Sequence, residues 1–78
     1  MNEYNDKGQH HGYWKHYYPN RNIMSKGDYI NAERHGYWEY YWSNRDIMRK
    51  GDFNMSKQIG YWERYWSNKV LNSKEFYL

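Results

Sequence analysis

Histidine is the side chain most able to bind a metal or move protons at neutral pH, and the sequence has four of them. His10, His11 and His16 lie close together, and His35 follows later. The chain has no cysteine, so a thiolate zinc site is excluded. In the repeat described below, Ile59 occupies the position of His11 and His35, and a metal ligand does not tolerate that replacement. We therefore expect neither a metal centre nor a cofactor.

A catalytic triad is the next chemistry to consider, because serine, histidine and aspartate are all present. Such a nucleophile needs a sharply strained turn that exposes the serine, and the sequence has no motif of that kind. It also needs a pocket, and 78 residues give little material for a second layer of structure. The sequence therefore predicts a binding protein and not an enzyme.

Aromatic side chains interleaved with basic ones are the third candidate chemistry. Phe, Trp and Tyr make up 23% of the chain, and rings beside positive charge can stack single strands or nucleotides. The net charge of +3 is mild for a nucleic-acid binder, so nucleic acid or nucleotide binding is the alternative to binding another protein. The lysines alternate with acids, which does not favour a membrane surface, and no apolar run approaches membrane-spanning length. We expect a cytoplasmic protein.

The elements that position these residues follow from an internal repeat. The triplet Gly-Tyr-Trp recurs every 24 residues, beginning at Gly12, Gly36 and Gly60. The copies read GYWKHYYPNRNIMSKGDY, GYWEYYWSNRDIMRKGDF and GYWERYWSNKVLNSKEFY. We predict one repeat domain over residues 1–78. Its divisions are a half-repeat (1–11), repeat one (12–35), repeat two (36–59) and a capping repeat three (60–78).

Each copy predicts a β-hairpin, because two β-prone segments flank a polar turn. Asn44-Arg45 is the expected two-residue turn of the second copy. The resulting cross-strand pairs are Trp42–Ile47, Tyr40–Arg49, Trp38–Gly51 and Gly36–Phe53, with Tyr18–Ile23, Trp14–Gly27 and Gly12–Tyr29 in the first copy. This register sets tryptophan opposite glycine, so that the ring covers bare backbone. The residues assigned to structure on this basis are Trp14, Trp38, Trp62, Gly27 and Gly51.

Alternation along each strand sorts the side chains onto two faces. The predicted structural face carries Trp14, Trp38, Trp62, Tyr18, Trp42, Trp66, Ile23, Ile47, Leu71, Tyr29, Phe53 and Tyr77. The opposite face carries a ladder of tyrosines, Tyr13, Tyr17, Tyr37, Tyr41, Tyr61 and Tyr65. Between the tyrosines, Glu39 is expected to face Lys50, and Glu63 to face Lys74.

These residues resemble the MORN-repeat variant of bacterial proteins often described as antitoxin-like, whose unit is G-x-W-x-x-Y-x-x-N-G followed by G-x-Y. The resemblance covers nearly the whole chain. The matching residues are Gly12, Trp14, Tyr17, Asn20, Gly27 and Tyr29; Gly36, Trp38, Tyr41, Asn44, Gly51 and Phe53; and Gly60, Trp62, Tyr65 and Asn68. The resemblance implies an all-β fold, a single-layer antiparallel sheet of three tandem β-hairpin repeats.

The chain departs from the family pattern in its turns and near its last strand. Arg21, Arg45 and Lys69 stand where the family has the turn glycine, which adds a positive row along one rim. Glu75 stands where the other copies have Gly27 and Gly51, which is typical of a capping repeat with a polar edge.

A single sheet has two faces and two edges that 78 residues cannot cover, and exposed aromatic patches and strand edges usually mark contact sites. The resemblance implies protein–protein contact without shared catalytic residues. We expect an inhibitor or an immunity protein of the antitoxin type, bacterial or phage-encoded, that masks another protein. A second copy of the chain is an open alternative for the partner. The expected binding residues are the six tyrosines of the ladder with Arg21, Arg45 and Lys69.

Overall fold

The computed structural model describes residues 2–78, and Met1, the first residue of the predicted half-repeat, lies outside them. Seven strands form one open sheet in the order of the chain, each antiparallel to the next. The strands are β1 (Glu3–Tyr4), β2 (His10–Tyr17), β3 (Ile23–Ile30), β4 (Glu33–Tyr41), β5 (Ile47–Asn54), β6 (Lys57–Tyr65) and β7 (Leu71–Tyr77).

The predicted all-β class and the single antiparallel layer are confirmed. The molecule measures 41 × 35 × 12 Å, and a thickness of 12 Å corresponds to one sheet with its side chains. The part of the chain that the structure describes contains no helix, and hence none long and apolar enough to cross a membrane.

The predicted register is confirmed through most of each hairpin. Trp38 pairs with Gly51, and Gly36 and Tyr40 pair with Phe53 and Arg49. In the first hairpin, Gly12 pairs with Tyr29 and Trp14 with Gly27.

The predicted two-residue turn is wrong, because the loop of the second hairpin has three residues. The Trp42 N–H donates to the Asp46 carbonyl at 2.8 Å, and the Arg45 N–H donates to the Trp42 carbonyl at 3.0 Å. The Asn44 side chain accepts a hydrogen bond from the Asp46 N–H, so its role is to brace the turn, while Arg45 takes the positive φ of 77°.

The longer loop is offset by one extra residue in the strand that follows it, a β-bulge at Met48 of β5. Tyr41 therefore pairs with Ile47, where Trp42 was expected. The same shift in the first hairpin pairs Tyr17 with Ile23, and the predicted Tyr18–Ile23 pair is wrong. The bulges keep the rest of the register intact, which is why the pairs farther from the turn were predicted correctly.

The tryptophans are the core of the sheet, but the glycine that each ring covers is not the one predicted. A Cβ on Gly27 would overlap the ring of Trp38, and a Cβ on Gly51 would overlap that of Trp62. Each ring thus lies over the preceding hairpin and not over its own cross-strand partner. The cause is a second irregularity, in which the single residue Gly27 faces residues 36–38 of β4. Trp38 and Trp62 are 1% and 0% exposed.

Two residues of the predicted structural face are exposed. Trp66 is 55% and Leu71 is 48% exposed. The equivalents of Trp66 in the earlier hairpins reach a neighbouring strand: the Tyr18 hydroxyl donates to the Tyr41 carbonyl at 2.6 Å, and Trp42 Nε1 donates to the Tyr65 carbonyl at 3.3 Å. No described strand lies beyond β7, so Trp66 has no such carbonyl to reach.

The two edges of the sheet differ. β1 covers part of the outer edge of β2, and Trp14 Nε1 donates to the Glu3 carbonyl at 2.9 Å. Asn2 extends this cover, because its N–H donates to the Tyr13 carbonyl at 2.7 Å. No described residue covers the outer edge of β7 in this way.

Candidate functional site

The tyrosines predicted to bind a partner lie on the face opposite the core tryptophans. The hydroxyls of Tyr37 and Tyr41 both donate to the Glu39 carboxylate, at 3.1 and 2.8 Å, so these three side chains share one face. Trp38 and Tyr40 alternate with them along β4, and their rings stack on the other side with centroids 5.9 Å apart. We call the first side the tyrosine face; its six members are Tyr13, Tyr17, Tyr37, Tyr41, Tyr61 and Tyr65.

A row of charged residues crosses the tyrosine face between the tyrosines. Successive strands place the members opposite one another in the order Lys15, Lys26, Glu39, Lys50, Glu63 and Lys74. We call this set the charge row. Its members carry both signs, so the tyrosine face combines aromatic rings with cations and carboxylates.

The ion pairs of the charge row mostly join neighbouring hairpins. Lys26 Nζ lies 3.4 Å from Glu39 Oε1, and Lys50 Nζ lies 3.6 Å from Glu63 Oε1. The predicted pair of Glu63 and Lys74 is confirmed at 3.6 Å. Glu39 stands opposite Lys50 in the register as predicted, but the ion pair found for its carboxylate is with Lys26 of the preceding hairpin.

The contacts around Glu39 change the proton affinities of the tyrosine face. Partial burial opposes ionisation of Glu39, but the hydroxyls of Tyr41 and Tyr37 and the ammonium of Lys26 outweigh it, so the pKa of Glu39 lies below its ordinary value. Burial, followed by the nearby Glu39 carboxylate, raises the pKa of Tyr37 and of Tyr41. Both phenols therefore stay protonated hydrogen-bond donors at neutral pH.

An open hollow of about 600 Å³ lies on the tyrosine face between two exposed rings. Tyr37 and Tyr61, at its sides, are 50% and 69% exposed. The lining residues are Tyr37, Lys50, Gly51, Asp52, Tyr61, Glu63 and Lys74. The hollow brings together two exposed aromatic rings, two cations and two carboxylates, which is a mixed chemistry suited to protein side chains.

The basic turn residues lie on a rim and not on the tyrosine face. Arg21, Arg45 and Lys69 each occupy the third position of a hairpin loop, with φ values of 70°, 77° and 71°. Adjacent loops are joined, since Asn44 Nδ2 donates to the Ser67 carbonyl at 3.1 Å. Arg45 Nε donates to Asn22 Oδ1, and Lys69 Nζ lies 3.6 Å from Asp46. Two of the three cations therefore already have partners.

The histidines are part of the sheet's own packing. His10 stacks on Trp14 with ring centroids 4.0 Å apart, and His16 Nε2 lies 3.1 Å from the Tyr29 hydroxyl. Burial, with a smaller effect from His10, lowers the pKa of His16. His35 Nδ1 accepts a hydrogen bond from a turn N–H. Within residues 2–78, no group of three or more His, Cys, Asp or Glu side chains is placed to hold a metal ion.

Sequence reasoning missed a set of arginines on the tryptophan side of the sheet. The Arg49 guanidinium lies 4.3 Å from the Tyr40 ring centroid, and that of Arg34 lies 4.3 Å from the Phe53 centroid. Arg49 also faces Arg64 across β5 and β6. The alternation of the strands placed these arginines beside the tryptophans, so the signal was present in the sequence.

Searches of protein-family models, curated proteins and solved structures found no match to this chain. The resemblance to the MORN-repeat variant therefore remains a hypothesis from the sequence motif.

Proposed function

We propose that this chain is a non-catalytic module that binds another protein through its tyrosine face. The observation that carries the proposal is the hollow between Tyr37 and Tyr61, where exposed rings surround charges of both signs. A partner side chain could enter the hollow and be held by ring contacts and by hydrogen bonds or ion pairs with its walls. Tyrosine is among the residues that dominate binding energy at protein interfaces.

The tyrosine face is also held in place before any partner arrives. Tyr37 and Tyr41 are both tied to Glu39, and Tyr65 donates to Glu63 at 3.0 Å. Side chains that are already ordered lose little conformational entropy on binding, so more of the contact energy contributes to affinity. The proposed interface is therefore a preformed aromatic platform.

The charges of the hollow favour a protein over a polyanion. Asp52 and Glu63 lie in the same walls as Lys50 and Lys74, and carboxylates repel phosphate groups. A protein surface can supply both an acid and a base to meet them. Nucleic acid is the second candidate, supported by the rim position of Arg21, Arg45 and Lys69.

The proposal includes the finer architecture that the sequence indicates. We propose that the sheet consists of three tandem hairpin repeats of period 24, of the MORN-variant type. Equivalent contacts support this, since Trp38 Nε1 donates to the Asp28 carbonyl at 2.9 Å and Trp62 Nε1 donates to that of Asp52 at 3.0 Å. A thin platform of this size suits a cytoplasmic inhibitor or immunity protein that masks a partner's surface.

Affinity capture from lysate tests the proposal when it compares matched variants. The purified chain is immobilised, and the captured proteins are identified and their affinities measured. Replacing Tyr37 and Tyr41 with alanine should weaken capture by about 2 kcal/mol or more, because central aromatics carry interface energy. Tyr4→Ala is the control, since it removes an exposed tyrosine that packs against Trp14 on the other face.

A second set of variants separates the two candidate functions. Replacing Arg21, Arg45 and Lys69 with glutamine should mainly change the association rate and its salt dependence if the partner is a protein. Thermal melting confirms that each variant is folded. Capture that survives loss of both tyrosines but not loss of the three cations would contradict the proposal.

A further inference from the structure

The outer edge of β7 is incomplete in a specific way, which comparison with the inner junctions reveals. At the two inner junctions, β3 with β4 and β5 with β6, the earlier strand and its loop contribute the same kinds of group. A lysine of the charge row binds a glutamate across the junction, as Lys50 binds Glu63. A residue beside the loop donates to a backbone carbonyl, as Trp42 donates to that of Tyr65. A loop asparagine donates to a second backbone carbonyl, as Asn44 donates to the carbonyl of Ser67.

β7 and its loop present these same groups without an acceptor strand. Trp66 stands in the position of Trp42 and is exposed. Asn68 stands in the position of Asn44, and its Oδ1 accepts from the Val70 N–H while no described acceptor meets its Nδ2. Lys74 stands in the position of Lys50 and turns back to Glu63 of its own hairpin. The outer edge of β7 therefore presents the hydrogen-bond donors and the lysine of a junction without the strand that would accept from them.

One residue makes this edge different from the inner ones. Glu75 stands where Gly51 leaves room for the ring of Trp62. Its carboxylate is held on the tryptophan side by Arg64, whose Nε lies 2.9 Å from Oε1, and by the Tyr77 hydroxyl, which donates to Oε2 at 3.3 Å. The Arg64 contact is an ion pair without hydrogen-bond geometry. A further strand carrying tryptophan at the equivalent position would meet this carboxylate.

We infer that the outer edge of β7 is a docking site for an extended, antiparallel strand of a partner protein. That strand carries a carboxylate opposite Lys74 on the tyrosine side and a small residue opposite Glu75 on the tryptophan side. Its backbone carbonyls accept from Trp66 Nε1 and Asn68 Nδ2. This is strand addition to an exposed edge, in which backbone hydrogen bonds give affinity and side-chain pairs give selectivity.

A second copy of the chain fits this edge poorly. A two-fold axis normal to the sheet would pair two β7 strands antiparallel with their faces aligned. Such an axis lies level with one residue of β7, and that residue then faces the same residue of the second copy. An axis at Lys74 opposes two ammonium groups, and an axis at Glu75 opposes two carboxylates. Glu75 is the only acidic residue of β7 and lies on the other face from Lys74, so no register of two β7 strands sets a side-chain carboxylate of β7 opposite Lys74. Charge complementarity therefore favours a strand of a different protein that carries a carboxylate opposite Lys74.

The inference depends on the proposed function only in that both assign a protein partner. A direct probe is a synthetic peptide with the sequence of residues 57–65, KQIGYWERY, which is β6 and fills the β5 junction. A second peptide carries Trp62→Ser. We expect the Trp62→Ser peptide to bind the full chain, and the unchanged peptide to bind about 10-fold more weakly because its ring meets Glu75. In the Glu75→Gly protein the unchanged peptide should bind about 10-fold more tightly than to the wild type.

Charge reversal supplies the matched control. Lys74→Glu should weaken the Trp62→Ser peptide about 10-fold, and a peptide that also carries Glu63→Lys should recover the loss. Lys15→Glu makes the same change in the charge row at the opposite edge and should leave binding unchanged. Peptide binding is measured by fluorescence anisotropy, and the molar mass of the protein alone is measured by light scattering.

Three results would overturn the inference. They are no saturable peptide binding up to about 1 mM, equal loss of binding in the Lys15→Glu and Lys74→Glu proteins, or a dimer whose formation depends on residues of β7. If the peptides fail while capture still depends on Tyr37 and Tyr41, the docking edge is wrong and the proposed function stands. If the peptides bind and capture does not depend on those tyrosines, the proposed function is wrong and the docking edge stands.

Discussion

The inner junction between β5 and β6 and the outer edge of β7 are built from equivalent positions, yet the first is covered by a neighbouring strand and the second is exposed. At the inner junction, Trp62 lies over Gly51 and is buried. At the outer edge, Glu75 replaces the glycine, and Trp66 is left exposed. The difference shows that burial in this thin sheet comes from contacts between hairpins. A hairpin without a following neighbour keeps its backbone pairing but loses its cover.

The largest expected contrast is between a tryptophan at an inner junction, Trp38 between β3 and β4, and the exposed Trp66 beside β7. Trp38→Ala should lower the free energy of unfolding by about 3–5 kcal/mol, because it removes a fully buried ring that joins β4 to β3. Trp66→Ala should lower it by less than about 1 kcal/mol, because the exposed ring loses few contacts. Urea denaturation followed by circular dichroism measures both values. Comparable losses would show that Trp66 is buried in solution and that the comparison of junction and edge is wrong.

The next contrast is between the glycine and the glutamate at equivalent positions. Gly51→Ala should destabilise by about 2–3 kcal/mol, since the added methyl group overlaps the ring of Trp62 and the ring must move. Glu75→Ala should cost less than about 1 kcal/mol, because it removes a partly exposed ion pair with Arg64. Thermal melting of both variants shows which substitution destabilises the protein more. A stable Gly51→Ala protein would contradict the ring-over-backbone packing.

Acid titration gives a smaller effect, located in the ion pair of the first inner junction. The pKa of Glu39 is below its ordinary value in the folded chain, so this carboxylate stabilises the fold above the unfolded pKa of about 4.5. That contribution is lost as the pH falls through the lower, folded pKa. Urea denaturation between about pH 6 and pH 3 should therefore show a steeper loss of stability for the wild type than for Glu39→Gln. Identical slopes would mean that the hydroxyls of Tyr37 and Tyr41 do not hold the carboxylate.

Substitutions in the hairpin loops should have the smallest effects on stability. The inner loop residue Arg45 and the outer loop residue Lys69 should give similar changes. Arg45 and Lys69 have φ values of 77° and 71°, which glycine adopts without strain. Each substitution by glycine also loses one contact with the preceding hairpin, to Asn22 or Asp46. Arg45→Gly and Lys69→Gly should therefore both change stability by less than about 1 kcal/mol. A large loss in only one of them, measured by thermal melting, would reveal an additional role for that side chain.

Much of the fold could be predicted from the sequence because the alternation along each strand separates the tryptophans from the tyrosines. The pairing of Trp38 with Gly51 was predicted from a two-residue turn, and it is correct because the bulge in β5 offsets the extra loop residue. The loop length did not follow, because Asn44 is compatible both with a positive φ and with the turn-bracing role that it has. One residue of loop length then displaced the partners of Tyr41 and Trp42.

Contacts between hairpins were harder to predict than contacts within them. The register of β4 on β5 places Trp38 beside Gly51, and nothing in that pattern shows that the ring lies over Gly27. That placement depends on the irregular pairing of β3 with β4, where Gly36 has a φ of 81°. The same limit applied to the candidate site. The tyrosine ladder could be predicted from alternation, whereas the hollow between Tyr37 and Tyr61 depends on how neighbouring hairpins meet.

The central claim, that the tyrosine face binds a protein, is tested most directly by titrating the purified chain with single-stranded DNA, RNA and duplex at two salt concentrations. The mixed charges of the hollow predict no binding at micromolar concentrations near physiological salt, for the wild type or for the variant lacking Tyr37 and Tyr41. Micromolar or tighter binding that falls steeply with salt would contradict the claim. It would do so decisively if replacing Arg21, Arg45 and Lys69 abolished it and removing the tyrosines did not.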